Sequence, residues 1–269
     1  MFLYCLNTST IRNCDLGLKE KIELTAKTGY TGIEIWVSEI HEYIGRGGSI
    51  KELRSILSDN GLELPNLIAF FQWANPDKAK RTKEMREGEI ILSAAEDLGC
   101  PFVAAPPSGI TEMVDLPLED IAQYYADLIK LARKYGVEPL LEFWGHSKKL
   151  GSLKEAMRVL ELVNDPDAKM LGDVFHMAKT KGSFELMKQL KPGQLGLFHV
   201  NDYPDAPDIT KLTDDQRVYP GDGAAPLKEI AQTLKNLNYS GFLSLELFNE
   251  EYEKAGAETV LKTGLEKTK

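Results

Sequence analysis

From one end of the chain to the other, short β-rich runs alternate with longer amphipathic ones. The runs FLYCLN (2–7), GIEIW (32–36), LPNLIAF (64–70), PFVAAP (101–106), VEPLLEF (137–143), AKMLGDV (168–174), LGLFHV (195–200) and FLSLELF (242–248) are too short for helices. Gly, Pro or polar residues bound each of them, which predicts strands. Between them, Leu118, Ile121, Tyr125, Leu128 and Ala132 recur at helical spacing in 117–135. Leu153, Ala156, Val159, Leu160 and Val163 do the same in 152–164, opened by SLKE with the Ser and Glu of a capping box. GSIKELRSILSDNG (48–61) reads as a further helix closed by glycine. Strict β/α alternation implies parallel strands. Eight units in 269 residues, about 33 residues each, favour a closed (β/α)8 TIM barrel over an open sheet. GYTGIEIW (29–36) and NYSGFLSLELF (238–248) echo one another, as repeated units would. No linker or shift in composition divides the chain, so residues 1–269 are expected to form a single domain.

Charge and cysteine usage exclude several functions. A net charge of −9 without a basic cluster argues against nucleic acid or an anionic membrane as partner, since both demand a concentrated field of Lys and Arg. Cys5, Cys14 and Cys100 have neither the number nor the spacing of a disulfide framework or zinc cluster, and Cys5 and Cys100 read as buried thiols. The opening MFLYCLNTSTIRNCD has no basic leader, and no run approaches the ~20 apolar residues of a membrane span. A cytoplasmic protein is the expectation.

In a barrel, catalytic groups project from the C-terminal ends of strands. Glu34 falls at that end of strand 2, Glu142 of strand 5, Asp173 of strand 6, His199 of strand 7 and Glu246 of strand 8. A lone strand-end acid is commonly a helix cap or ion-pair partner, and a lone histidine a hydrogen-bonded core residue. Ligand-type residues at four successive strand ends are another matter. Glu142, Asp173, His199 and Glu246 form a hard, oxygen-rich set with one nitrogen, suited to one divalent ion such as Mn2+, Zn2+, Co2+ or Mg2+. Without a cation, three close carboxylates could not all stay ionised.

In LGDVFHMA (171–178), Asp173 then ends the strand as a ligand, while His176 lies beyond it in the loop, within reach of a substrate oxygen. His146 holds the matching place after strand 5. The 23-residue stretch 201–223 is long for a structureless connection, which points to a lid or binding loop, and its lone Arg217 offers a fork for a substrate oxygen. Its PGDG turn (220–223) lies where barrels often hold phosphate, but two glycines read mainly as backbone geometry. Phe70, Phe71 and Trp73 are placed near the mouth, to shape the pocket or to pack against a second subunit in a homodimer.

LEFWGH (141–146), GDVFHM (172–177), FHVNDYP (198–204), LTDDQRVYPGDG (212–223) and SLELFNEEY (244–252) resemble the xylose-isomerase-like family of sugar isomerases and epimerases. The likeness extends more thinly to CLNTSTI (5–11) and GYTGIEI (29–35). It implies that Glu142, Asp173, His199 and Glu246 bind one metal ion, that Glu142 and Glu246 are also acid and base, and that His176 and Arg217 contact substrate. The implied substrate is a small carbohydrate or keto-inositol, isomerised or epimerised through a metal-stabilised enediolate. Related ketose 3-epimerases carry a second Glu six residues after the first ligand, where this chain has Lys148, which lowers free-ketose 3-epimerisation in rank. Trp144 is expected to reshape the pocket. The competing expectations are a metal-dependent lyase or dehydratase on a keto sugar or 3-keto-glycoside, a non-catalytic sugar-binding protein, and a DNA-repair endonuclease. The last is disfavoured by four histidines and an acidic pI.

Overall fold

The computed structural model describes residues 2–269. Eight parallel strands, β1 (Leu3–Asn7), β2 (Gly32–Trp36), β3 (Asn66–Ile68), β4 (Phe102–Ala105), β5 (Glu138–Leu141), β6 (Lys169–Asp173), β7 (Leu195–Val200) and β8 (Phe242–Leu245), follow one another in order. β8 pairs with β1 and closes the barrel. Every strand-like run of the sequence contributes one strand. The helical layer is richer than one helix per unit, because Val37–Gly45 and Ile50–Asp59 both follow β2, and Val174–Ala178 and Ser183–Met187 both follow β6.

Local chemistry sets the helix ends. Ser49 Oγ accepts from Glu52 N at 3.2 Å and Ser152 Oγ from Glu155 N at 3.2 Å, each satisfying an orphan first-turn donor. Glu155 Oε2 reaches back to Gly151 N at 2.8 Å, one residue beyond the usual box. Leu118–Ala132 buries Ile121, Tyr125, Leu128 and Ala132 against the barrel, and each full burial of such a side chain contributes roughly 1.5–3 kcal/mol. The Tyr125 hydroxyl donates to Pro139 O at 2.7 Å, anchoring this helix to β5.

Strand pleat sorts the residues that position the site. Inside the barrel, Cys5, Ile68, Ala104, Leu140, Leu171, Leu197 and Phe242 form an apolar plug. Two residues further along their strands from Cys5, Leu140, Leu171 and Leu197, on the same face of the pleat, come Asn7, Glu142, Asp173 and His199. The polar layer thus sits on a dry floor. Cys5 and Cys100 are buried free thiols. Among the described residues, no helix is long and apolar enough to cross a membrane.

Candidate metal centre

Register brings the donors together. Asp173 pairs with His199 across β6 and β7, and His199 with Ser244 across β7 and β8, while Glu246 stands just beyond β8. One donor atom from each of Asp173, His199 and Glu246 lies within 4.8 Å of the others, and all three residues are buried. His199 Nδ1 is 3.1 Å from Glu246 Oε2 and 3.7 Å from Asp173 Oδ2, and it has no hydrogen-bond partner. A buried imidazole lone pair facing two carboxylate oxygens is repulsive unless a cation lies between them, and these donors fit a divalent ion.

Glu142 stands outside that tight group, although His199, Glu246 and Asp173 are the charges it feels. Its Oε1 accepts from Trp144 Nε1 at 3.0 Å, and burial pushes its carboxyl up to about 8. Burial alone would also raise Asp173, but the Arg217 guanidinium and the two imidazoles hold it well below the usual range. For His199, burial is outweighed by Glu246 and Glu34, which hold the imidazole well above its ordinary value. Both directions express one fact: this cluster of carboxylates demands positive charge.

Arg217 supplies some of it. Fully buried, its Nη1 donates to Asp173 Oδ2 at 2.8 Å and to Glu246 Oε2 at 2.7 Å, and its Nη2 to Asp214 Oδ1 at 2.6 Å. The stretch expected to form a lid or binding loop is an ordered segment with helical turns at Ile209–Lys211 and Asp214–Gln216, bridged between Asp202 and Val218. Asp202 organises its end. Oδ2 accepts from Gly221 N and Gly223 N at 3.0 and 3.1 Å, and Oδ1 from Tyr203 N and Ala225 N at 2.8 Å. An internal carboxylate therefore fills the cradle that a phosphate would need. A Cβ at Gly223 would lie 2.1 Å from Tyr203 O, so the close approach requires glycine there. Asp202→Ala strands these donors and is expected to cost about 3 kcal/mol. The melting temperature should fall by roughly 6–12 °C in scanning calorimetry.

His176 does not lie in a loop. Asp173 Oδ1 accepts from its backbone N–H at 2.7 Å and starts the turn Val174–Ala178, so the imidazole is buried beside Arg217, Nε2 to Nη2 at 3.4 Å. Burial pushes it down to about 4, which leaves it neutral at pH 7. His146 is exposed and stacks on Trp144, with centroids 5.5 Å apart and planes at 26°. Lys148 points away to Glu112 at 2.5 Å.

The mouth is walled by rings in sequence: His176, His146, Trp144, Phe70, Trp36 and Phe248, with successive centroids 5.8, 5.5, 5.7, 5.1 and 6.1 Å apart. Of the three aromatics expected here, only Phe70 belongs. Phe71 packs on Gly88, and Trp73 is buried with its Nε1 donating to Pro106 O at 2.7 Å, because both point to the helical layer. Trp36, Phe248, Asn7, Asn201 and Asp214 went unrecognised in the sequence. The first four are uncharged residues at or just past strand ends, with no signal of their own for metal or proton chemistry. Glu34 is inside β2, not at its mouth: its Oε2 and Oε1 lie 2.9 and 3.2 Å from His199 Nε2, below the ligand layer. A groove of about 970 Å3 opens beside Trp36, but its buried Lys21 is already paired with Glu39 at 2.8 Å.

Comparison with known proteins agrees with this geometry. The chain is 30% identical to inosose isomerase of Bacillus velezensis over 98% of its own length and 95% of that protein. It is 22% identical to the 3-dehydroshikimate dehydratase of Pseudomonas putida over 88% of its length, which is 37% of that larger protein. A crystal structure of the IOLI protein with a binding zinc atom superposes with a TM-score of 0.90 at 29% identity, covering 100% of this chain and 96% of that one. The model of the xylose isomerase-like TIM barrel matches residues 22–269. With this match, the closed barrel and the donors gathered at its mouth, the chain belongs to the xylose isomerase-like TIM barrel family.

Proposed function

We propose that this chain is a divalent-metal-dependent isomerase of keto-polyols, with a keto-inositol (an inosose) as substrate. The convergence of Asp173, His199 and Glu246 within 4.8 Å carries the reading, and the inosose isomerase relative supplies the substrate class. Glu142 completes the set of residues that would hold the ion. The zinc-bound neighbour puts Zn2+ first, and Mn2+, Co2+ and Mg2+ suit the same donors. When bound, the ion supplies a Lewis acid that polarises a carbonyl and balances negative charge developing beside it.

The chain's own residues do the rest. Glu142 and Glu246 are the two proton carriers, one removing a carbon-bound proton and the other returning it to the neighbouring carbon. His176, neutral and buried, and Arg217 hold substrate oxygens. Trp144, Phe70, Trp36 and Phe248 present ring faces to the C–H side of a polyol and keep water from the intermediate, with His146 at the outer edge.

The test is proton NMR in D2O with an inosose and each of the four ions. The expected outcome is deuterium at the carbon next to the carbonyl together with an isomeric inosose. No exchange with any ion would overturn the reading. The dehydratase relative favours one alternative, elimination in the same pocket. Loss of water, with new vinylic signals, would identify it.

A further inference from the structure

We infer that Glu34 is a positioning residue that fixes the proton of His199 on Nε2, so that the Nδ1 lone pair faces Asp173 and Glu246. This rests on the reading of His199 as a metal ligand.

The argument runs through donors. Asn7 Oδ1 accepts from Trp36 Nε1 at 2.8 Å and from Ser9 N at 3.0 Å. Both of those groups are donors only, so the orientation of the Asn7 amide is settled. Its Nδ2 must then face the two carboxylates, Glu246 Oε1 at 3.0 Å and Glu34 Oε2 at 3.5 Å. Asn66 Nδ2 donates to Glu34 Oε1 at 2.8 Å, and the Ser244 hydroxyl donates to Glu34 Oε2. Glu34 is fully buried, and these three partners give it protons. Surrounded by donors, a carboxylate is an acceptor, so His199 Nε2 at 2.9 Å has to be the protonated nitrogen. The other nitrogen, Nδ1, is the orphan that looks toward Asp173 and Glu246.

Depth makes the arrangement possible. Glu34, in the middle of β2, meets the ring at Nε2, and Glu246, just beyond the end of β8, meets its other edge at Nδ1. A ligating imidazole that hands its second N–H to a carboxylate is held in one tautomer and is a more basic ligand, and loss of such a partner typically lowers metal affinity 10–100-fold.

Glu34→Gln keeps the shape of the side chain but replaces one acceptor oxygen with an NH2. Placed at Oε1 that group confronts the Asn66 amide, and placed at Oε2 it confronts Asn7, Ser244 and His199 Nε2, where it drives the ring proton onto Nδ1. The experiment is a Zn2+ competition titration against a chromophoric chelator, paired with long-range 1H–15N correlation of the zinc-loaded wild type. The expected results are a proton on Nε2 with zinc at Nδ1, a drop in Zn2+ affinity of about 10–100-fold for Glu34→Gln, and partial recovery in Glu34→Asp, which retains the charge. Wild-type affinity in Glu34→Gln, or zinc at Nε2, would overturn the inference and leave the metal site standing. A wild type that binds no zinc would instead remove the metal reading, and this inference with it. Should Glu34→Gln not fold, the spectrum of the wild type decides alone.

Discussion

Glu142→Gln is expected to lower kcat by a factor on the order of 10²–10⁴ while most of the divalent ion stays bound. The substitution preserves the side chain's size and leaves a carbonyl oxygen for the Trp144 Nε1–H that now donates to Oε1 at 3.0 Å. Asp173, His199 and Glu246 retain their convergence. What disappears is the capacity to take a proton, since an amide is no base. Wash-in of deuterium from D2O at the carbon beside the carbonyl should fall in step with turnover, because the same proton removal limits both. Retention of full turnover would take Glu142 out of the chemistry.

The second large effect is on stability. Arg217→Met leaves Asp173, Glu246 and Asp214 without the guanidinium that now reaches them at 2.8, 2.7 and 2.6 Å. Methionine fills much of the volume and can still pack on Phe175 and Phe248, the rings flanking the guanidinium at 4.8 and 5.2 Å. Removing one side of a buried ion pair costs about 3–5 kcal/mol, because the abandoned charges remain buried. That corresponds to a fall of roughly 6–20 °C in melting temperature. The loss should be largest in protein stripped of metal by chelation and smaller with excess Zn2+, since an ion held by Asp173 and Glu246 would neutralise two of the same three carboxylates. Calorimetry with and without Zn2+ measures the difference, and an equal fall in both states would show that Arg217 and the ion do not share those charges. Turnover of the Zn2+-loaded protein falls as well if Arg217 also holds substrate.

Much of this was legible in the chain because strand periodicity is a local property. Asp173 and His199 lie two residues beyond Leu171 and Leu197, so the same pleat that turns those leucines inward turns the donors inward. The short runs sufficed to predict eight strands, and parallel pairing followed from the alternation. Glu34 shows where this stops. GYTGIEIW and NYSGFLSLELF look alike, but the acid stands two residues after glycine in the first and five after it in the second. It therefore ends deep in the barrel in one strand and at the mouth in the other. Phe71 and Trp73 mark a second boundary, since a residue beyond a strand has no pleat to set its direction. Their apolar surface was satisfied by the helical layer instead.

The eight strands and their alternation with helices were legible in the sequence alone, because each depends on spacing within a few residues. Three things were decided only by the tertiary structure. It set Glu34 beneath His199, it drew Arg217 from a folded loop into the space between Asp173 and Glu246, and it assembled the ring wall from Trp36, Phe70, Trp144 and Phe248. Each joins groups far apart along the chain, and their meeting depends on how the strands tilt and slide as the barrel closes, which no local pattern encodes.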